Sequence, residues 1–326
     1  MSPTTIAVRK PGLSTTVQDG GRSGYYHLGI PPSGALDQYS LACANALVAN
    51  PPGAAALEIV YMGPELVFSG PATVAVAGAA IAPKVNGEER PVWESFDVAA
   101  DDVLSFDYLK AGARAYLAVS GGIDVEEKLG SRSTYALGAL GGVEGRPIAE
   151  GDVLPVGTAS GSARAGLVVP DELRPVLAKQ VEVRVVMGLY DHRLTDRGRA
   201  TFLDTEWALT PVADRIGFRY TGGQLETVDR EPPFGAGQDP SNIVDSPYPI
   251  GSIQVPGGVE PIVLHRDAVS GGGYFMLGTV ISADMDLIGQ MQPHTPSRFV
   301  AVTMAQALRA RKDRAAMLEK IKDALA

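Results

Sequence analysis

The chain has 326 residues, enough to bury a core in one large domain or two smaller ones. It is 45% hydrophobic and 20% charged, and its formal net charge of -9 argues against nucleic acid and anionic membrane as partners. A single cysteine, Cys43, excludes an internal disulfide and a cysteine metal cluster, and no run approaches the roughly 20 apolar residues that span a bilayer. The opening MSPTTIAVRKPG has no apolar run of signal-peptide length, so a cytoplasmic location is expected.

Short apolar runs bounded by Gly, Pro, Asn or Asp dominate the first half. They predict strands over 5–8, 57–60, 65–68, 73–77, 103–109 and 114–119. One helix interrupts them. Ser33 or Asp37 can cap it, Leu36, Ser40, Cys43 and Leu47 share one face, and Asn50-Pro51-Pro52 stops it. A strand over 153–156 closes this half, and Cys43 reads as core.

The small, polar stretch GTASGSARAG at 157–166 reads as a linker. Beyond it, alternation predicts a strand over 181–187, then a short helix near 193–203. Strands follow over 216–220, 252–255, 261–264, 277–281 and 298–302, and an amphipathic helix over 303–325. The expected division is a β module at 1–160, a second at 161–302 and a terminal helix at 303–326. A mostly β protein of two barrel-like or sandwich-like halves results.

Several chemistries have no sequence support. Gly-Lys does not occur, so a Walker A loop is absent, and G-x-S-x-G, H-E-x-x-H and C-x-x-C are absent too. Four dispersed histidines give no reason to expect a metal. No Met-Lys-Met biotin-acceptor tripeptide is present, so any biotin must arrive on another protein.

Four polar clusters remain. Gln18-Asp19-Gly20-Gly21-Arg22, with Gly29-Ile30-Pro31-Pro32-Ser33-Gly34 before the helix, can hold an anion on free backbone amides, or can be a loop in which Asp19 pairs with Arg22. Gly130-Ser131-Arg132-Ser133-Thr134 suits an oxyanion, or is a hydrogen-bonded turn. Asp214-Arg215 is a structural ion pair, or Arg215 fixes a substrate carboxylate. The fourth runs from Gln254 through Asp267 to Gly271-Gly272-Gly273-Tyr274. There Asp267 can act as a base, Tyr274 can donate to a carbonyl, and the glycines let a ligand approach; the alternative is a glycine-rich hairpin.

Together these clusters resemble one family. The segment TTVQDGGRSGYYHLGIPPSGALDQYSLACANALVAN resembles the N-terminal signature of the biotin-dependent carboxyltransferase family, which includes KipA, the C subunit of 5-oxoprolinase and proteins labelled allophanate hydrolase subunit 2. GSRSTYALGALGGVEGRPIAEGDVLPVG resembles its middle signature. DRIGFRY and GSIQVPGGVEPIVLHRDAVSGGGY resemble its C-terminal one. The match covers nearly the whole chain, from about residue 8 to 302.

The resemblance implies two cyclophilin-like β-barrel modules and a small-molecule substrate, a cyclic amide or a urea-like compound. It implies a smaller B-type, KipI-like partner subunit, and with it a biotin carrier or a lactamase-like A subunit. ATP or carboxybiotin would then be used through the complex, with no cofactor bound covalently to this chain. The family pattern covers Gln18, Asp19, Arg22, Ser33, Asp37, Ser131, Arg132, Arg215, Gln254, Asp267, Gly272, Gly273 and Tyr274. Asp267 and Tyr274 are the expected catalytic pair and the others but Asp37 the expected substrate contacts. The chain departs from the pattern where the family has Arg, Gln and Lys, for it carries Ala268, Val269 and Met276. The rival reading is a non-catalytic, KipA-type regulator.

Overall fold

The computed structural model describes residues 4–159, 163–231, 233–239 and 241–325. It divides into two units. One holds residues 1–23, 33–177 and 315–326; the other holds 24–32 and 178–314.

Two antiparallel sheets build the first unit. The six-stranded sheet runs Val153–Pro155, Thr5–Lys10, Glu65–Phe68, Val103–Phe106, Pro83–Val85 and Glu88–Glu89. The five-stranded sheet runs Ser14–Gln18, Ala56–Val60, Ala111–Val119, Ala72–Ala80 and Ser95–Val98. Ile6, Leu66, Phe68 and Leu104 of the first meet Leu57, Ile59, Val76 and Leu117 of the second in one apolar core. Each such side chain contributes about 1.5–3 kcal/mol on burial.

The five-stranded sheet is buried on both faces, which explains its unbroken apolar runs. Val74 and Val76 point into the sandwich, while Ala75 and Ala77 point to the other side. There the helix Gln38–Leu47 lays Leu41, Cys43 and Leu47 against those alanines, so Cys43 is core as expected. Asp37 is the cap: Ser40 N donates to its Oδ1 at 2.9 Å. Ser33 instead takes a left-handed backbone, φ 52°.

A closed barrel of seven strands builds the second unit. Its order is Val181–Met187, Met276–Val280, Ser252–Gln254, Ile262–Leu264, Gly217–Thr221, Trp207–Ala213 and Pro296–Ala301. Val181–Met187 and Pro296–Ala301 close the ring in parallel. Val181, Val183 and Val185 are buried while Glu182 and Arg184 are exposed, the alternation visible in the sequence. Phe299 stacks on Phe202 at 4.7 Å and meets Tyr220 edge-on at 5.3 Å, pinning the helix Asp196–Asp204 to the barrel. Beside the ring, Asn242–Pro247 pairs with Gly271–Tyr274.

The mostly β reading and the terminal helix hold. Barrel closure occurs in the second unit, and the first is a pair of sheets. The units part between Leu177 and Ala178, beyond the 157–166 stretch, of which 160–162 lie outside the described residues. The reason is apolar. Val169 and Leu173 are buried in the first unit, and Val169 N donates to Trp93 O at 2.9 Å. The helix Met304–Leu325 begins with a reciprocal box, Gln306 N to Thr303 Oγ1 at 3.2 Å and Thr303 N to Gln306 Oε1 at 2.8 Å. Its residues to Arg314 belong to one unit and those from Ala315 to the other. Among the described residues, no helix is long and apolar enough to cross a membrane.

Candidate functional site

In the first unit, the strand Ser14–Gln18 ends by delivering Asp19 into a ring of donors. Ser131 Oγ donates to its carboxylate at 2.7 Å, Arg132 N at 2.6 Å and Gly21 N at 2.7 Å; Ser133 Oγ donates as well. Charge-assisted bonds of this kind are about twice as strong as neutral ones. Gln18 Nε2 donates to Thr134 O at 3.1 Å, and Thr134 Oγ1 to Val17 O at 3.0 Å. Arg22, almost wholly buried, donates through Nη2 to Ser133 O. Arg132 turns its guanidinium to Asp124 Oδ1 at 2.8 Å and Val125 O at 2.9 Å.

Gly34 and Ala35 seat on this knot. Gly34 has φ 86°, and a Cβ there would lie 2.8 Å from Gly21 N, so only glycine fits. Ala35 N then donates to Asp19 O at 3.0 Å. Gln18, Asp19, Arg22, Ser33, Ser131 and Arg132 are therefore neighbouring parts of one frame, and the first two sequence clusters meet. The Asp19 carboxylate is held by the second cluster's donors.

Behind the frame lies a buried acid that sequence reasoning missed. Glu58 is wholly buried; its Oε2 accepts from Leu36 N at 2.9 Å and from Tyr116 Oη at 2.8 Å. Arg114 Nε stands 3.8 Å from its Oε1. Tyr116 Oη in turn accepts from Asp37 N at 2.9 Å, tying the helix start to the sheet. The available signal was a lone acid inside the apolar strand ALEIV.

Burial pushes the Tyr116 phenol well above its ordinary value near 10, and the charges of Glu58 and Asp37 push it further. Its stabilising contribution is full below pH 10. Above that the unfolded chain gives up the proton first, so stability falls as pH rises toward the folded value. Tyr116→Phe is expected to flatten this alkaline loss in urea midpoints measured from about pH 9 to 11. Equal slopes for the two proteins would contradict it.

The second unit holds Arg215, Gln254, Asp267, Gly272, Gly273 and Tyr274. Arg215 binds Asp267 with both ends of its fork, Nε to Oδ2 at 2.7 Å and Nη2 to Oδ1 at 3.3 Å. Asp267 N returns a bond to Arg215 O at 2.9 Å. The ion pair of the third cluster thus exists, with Asp267 as the partner; Asp214 instead accepts from Ile216 N and Gly217 N. Tyr248 organises the fourth cluster. Its hydroxyl accepts from Tyr274 N at 2.8 Å and donates to Tyr274 O at 2.6 Å. Burial raises its phenol, which Gln254 also contacts.

A Cβ on Gly272 would come within 3.0 Å of the Tyr248 ring, so the ring takes the space the glycine leaves. Tyr26, from the YYHLG segment that joins this unit, donates to Tyr248 O at 2.6 Å. Ala268 and Met276 are buried beside Tyr248 and Leu264 in an apolar cluster, whereas Val269 is exposed. Tyr274 is 42% exposed. Among the described residues, no three His, Cys, Asp or Glu side chains gather to hold a metal.

The model of the carboxyltransferase domain, subdomains A and B, matches residues 28–301, and the chain belongs to that family. It is 33% identical over 333 residues to urea amidolyase of Lachancea kluyveri, across 98% of this chain and 18% of that protein. It is 32% identical over 323 residues to the C subunit of 5-oxoprolinase from Escherichia coli K12, across 97% of each. The crystal structure of K. lactis urea amidolyase superposes with a TM-score of 0.93 at 32% identity, over 98% of this chain and 20% of that one. The chain thus spans under a fifth of the Lachancea relative and nearly all of the bacterial one.

Proposed function

We propose that the chain is the larger, C-type subunit of a two-subunit enzyme that acts on a small cyclic amide or urea-like substrate. The observation that carries this is the end-to-end correspondence with the C subunit of 5-oxoprolinase, 97% of both chains. In this reading Tyr274, an exposed residue, donates to the substrate carbonyl. Asp267 acts through the Arg215 guanidinium that its two oxygens hold. Gln254, Gly272 and Gly273 shape the surroundings of Tyr274 in the second unit, and Gln18, Asp19, Arg22, Ser33, Ser131 and Arg132 form the polar frame of the first. ATP hydrolysis or carboxybiotin enters through the complex, the carboxybiotin on a separate carrier.

One observation favours a second reading, a KipA-type regulator that binds a KipI-like kinase inhibitor. Ala268 and Met276 pack as apolar core where the resemblance leads one to expect charge. Co-expression with the smaller B-type protein separates the outcomes. A stable complex that carboxylates urea-like compounds or hydrolyses cyclic amides with ATP supports the enzyme. A stable complex inert toward both classes supports the regulator, and failure to form any complex sinks both.

A further inference from the structure

The turn Asp191–Arg193 of the second unit places a guanidinium where little answers it. Arg193 lies over the Tyr190 ring, 5.4 Å from its centroid. Its Nη1 is buried with no hydrogen-bond partner among the described residues. Asp191, the nearest acid in sequence, faces Arg199 instead, Nη1 to Oδ2 at 3.4 Å. Burial lowers the affinity of Arg193 for its proton, and the charge of Arg230 lowers it further. Arg230 is fixed by Nη2 donating to Asn242 O at 2.5 Å. Val228 N donates to Arg193 O at 2.8 Å and holds the two segments together.

Arg193 and Arg230 lie close enough for their charges to be felt, and Arg193 Nη1 is a buried N–H with no hydrogen-bond partner, so an anion there would meet both a free donor and two positive charges. We propose that Arg193 and Arg230 form a binding site for a small carboxylate, with the Tyr190 ring as its wall. Planar guanidinium suits a planar carboxylate, and the chain's net charge of -9 disfavours a polyanion. Both arginines are tethered to the segment of the candidate donor. Asn242 pairs with Tyr274 across the strands, and Tyr190 N donates to Met276 O at 3.1 Å. The site therefore deepens the proposed function by supplying a holder for a substrate's carboxylate, and it rests on that reading only for the ligand's identity.

Calorimetric titration of the full chain with 5-oxoproline, acetate and 2-pyrrolidinone tests this. Both carboxylates are expected to bind the wild type, and Arg193→Gln and Arg230→Gln each to weaken them about tenfold or more. 2-Pyrrolidinone, which lacks the carboxylate, is expected to respond to neither change. Circular dichroism checks folding, and if Arg193→Gln does not fold, Arg230→Gln carries the comparison. Equal carboxylate binding by wild type and a folded variant overturns the site, as does absence of carboxylate binding to the wild type. Arginine-dependent acetate binding, with no turnover of cyclic amides or urea-like compounds by the assembled complex, keeps the site and removes the enzymatic reading. Turnover of 5-oxoproline with an unchanged KM in Arg193→Gln does the reverse.

Discussion

Replacing Arg215 by alanine is expected to cost about 3–5 kcal/mol of stability, the range seen when one partner leaves a buried ion pair. The Asp267 carboxylate is only 6% exposed, and its two oxygens are bound by the two ends of one guanidinium. Without Arg215 it keeps its charge in a place water barely reaches. Asp267→Ala leaves the Arg215 side chain, which is 17% exposed and better hydrated, so its cost should be smaller. Removing both as Arg215→Met/Asp267→Leu should recover much of the loss, because the apolar pair leaves no charge behind. Urea unfolding of the four proteins gives the coupling directly. A loss under about 1 kcal/mol in Arg215→Ala would place the pair among weak surface bridges.

Asp19→Ala should be comparably severe, at about 3–5 kcal/mol, for a different reason. No buried charge is stranded. Ser131 Oγ, Ser133 Oγ and the amides of Gly21 and Arg132 lose their shared acceptor together. Asp19→Asn keeps the shape but turns an N–H toward donors, so it should recover less than half of the loss. The damage should spread to the helix cap, because Ala35 N reads the backbone of the same residue. Thermal unfolding and hydrogen exchange at residues 35–40 report it. Full protection there in Asp19→Ala would show that the frame does not depend on the carboxylate.

Regular elements were legible where periodicity was clean. Val181–Met187 alternates because one barrel face is wet, and its bounds were readable without coordinates. Glu65–Phe68 stood out between a Gly-Pro and a Ser-Gly, each a turn signal. The strands that escaped carry weak or misleading patterns. Ser14–Gln18 is almost all polar, yet Thr15, Thr16 and Gln18 are buried, and Gln18 Nε2 donates to Thr16 Oγ1 and to the distant Thr134 O. Trp207–Ala213 contains a proline, and Gly271–Tyr274 contains three glycines.

Of the candidate site, the members could be named from the sequence but their partners could not. The Asp19 partners Ser131, Arg132 and Ser133 lie more than a hundred residues away in the chain, and the Asp267 partner Arg215 lies 52 away. No local spacing encodes such pairings. At Arg193 the sequence offers Asp191 as an obvious local partner. Only three dimensions show Asp191 committed to Arg199.

The most direct measurement is the initial rate of ATP-dependent ring opening of 5-oxoproline by the small partner and the lactamase-like protein, with and without this chain. A C-type role predicts that omitting the chain drops the rate to background and that adding it back restores turnover in proportion. The same rate in its absence would contradict the account.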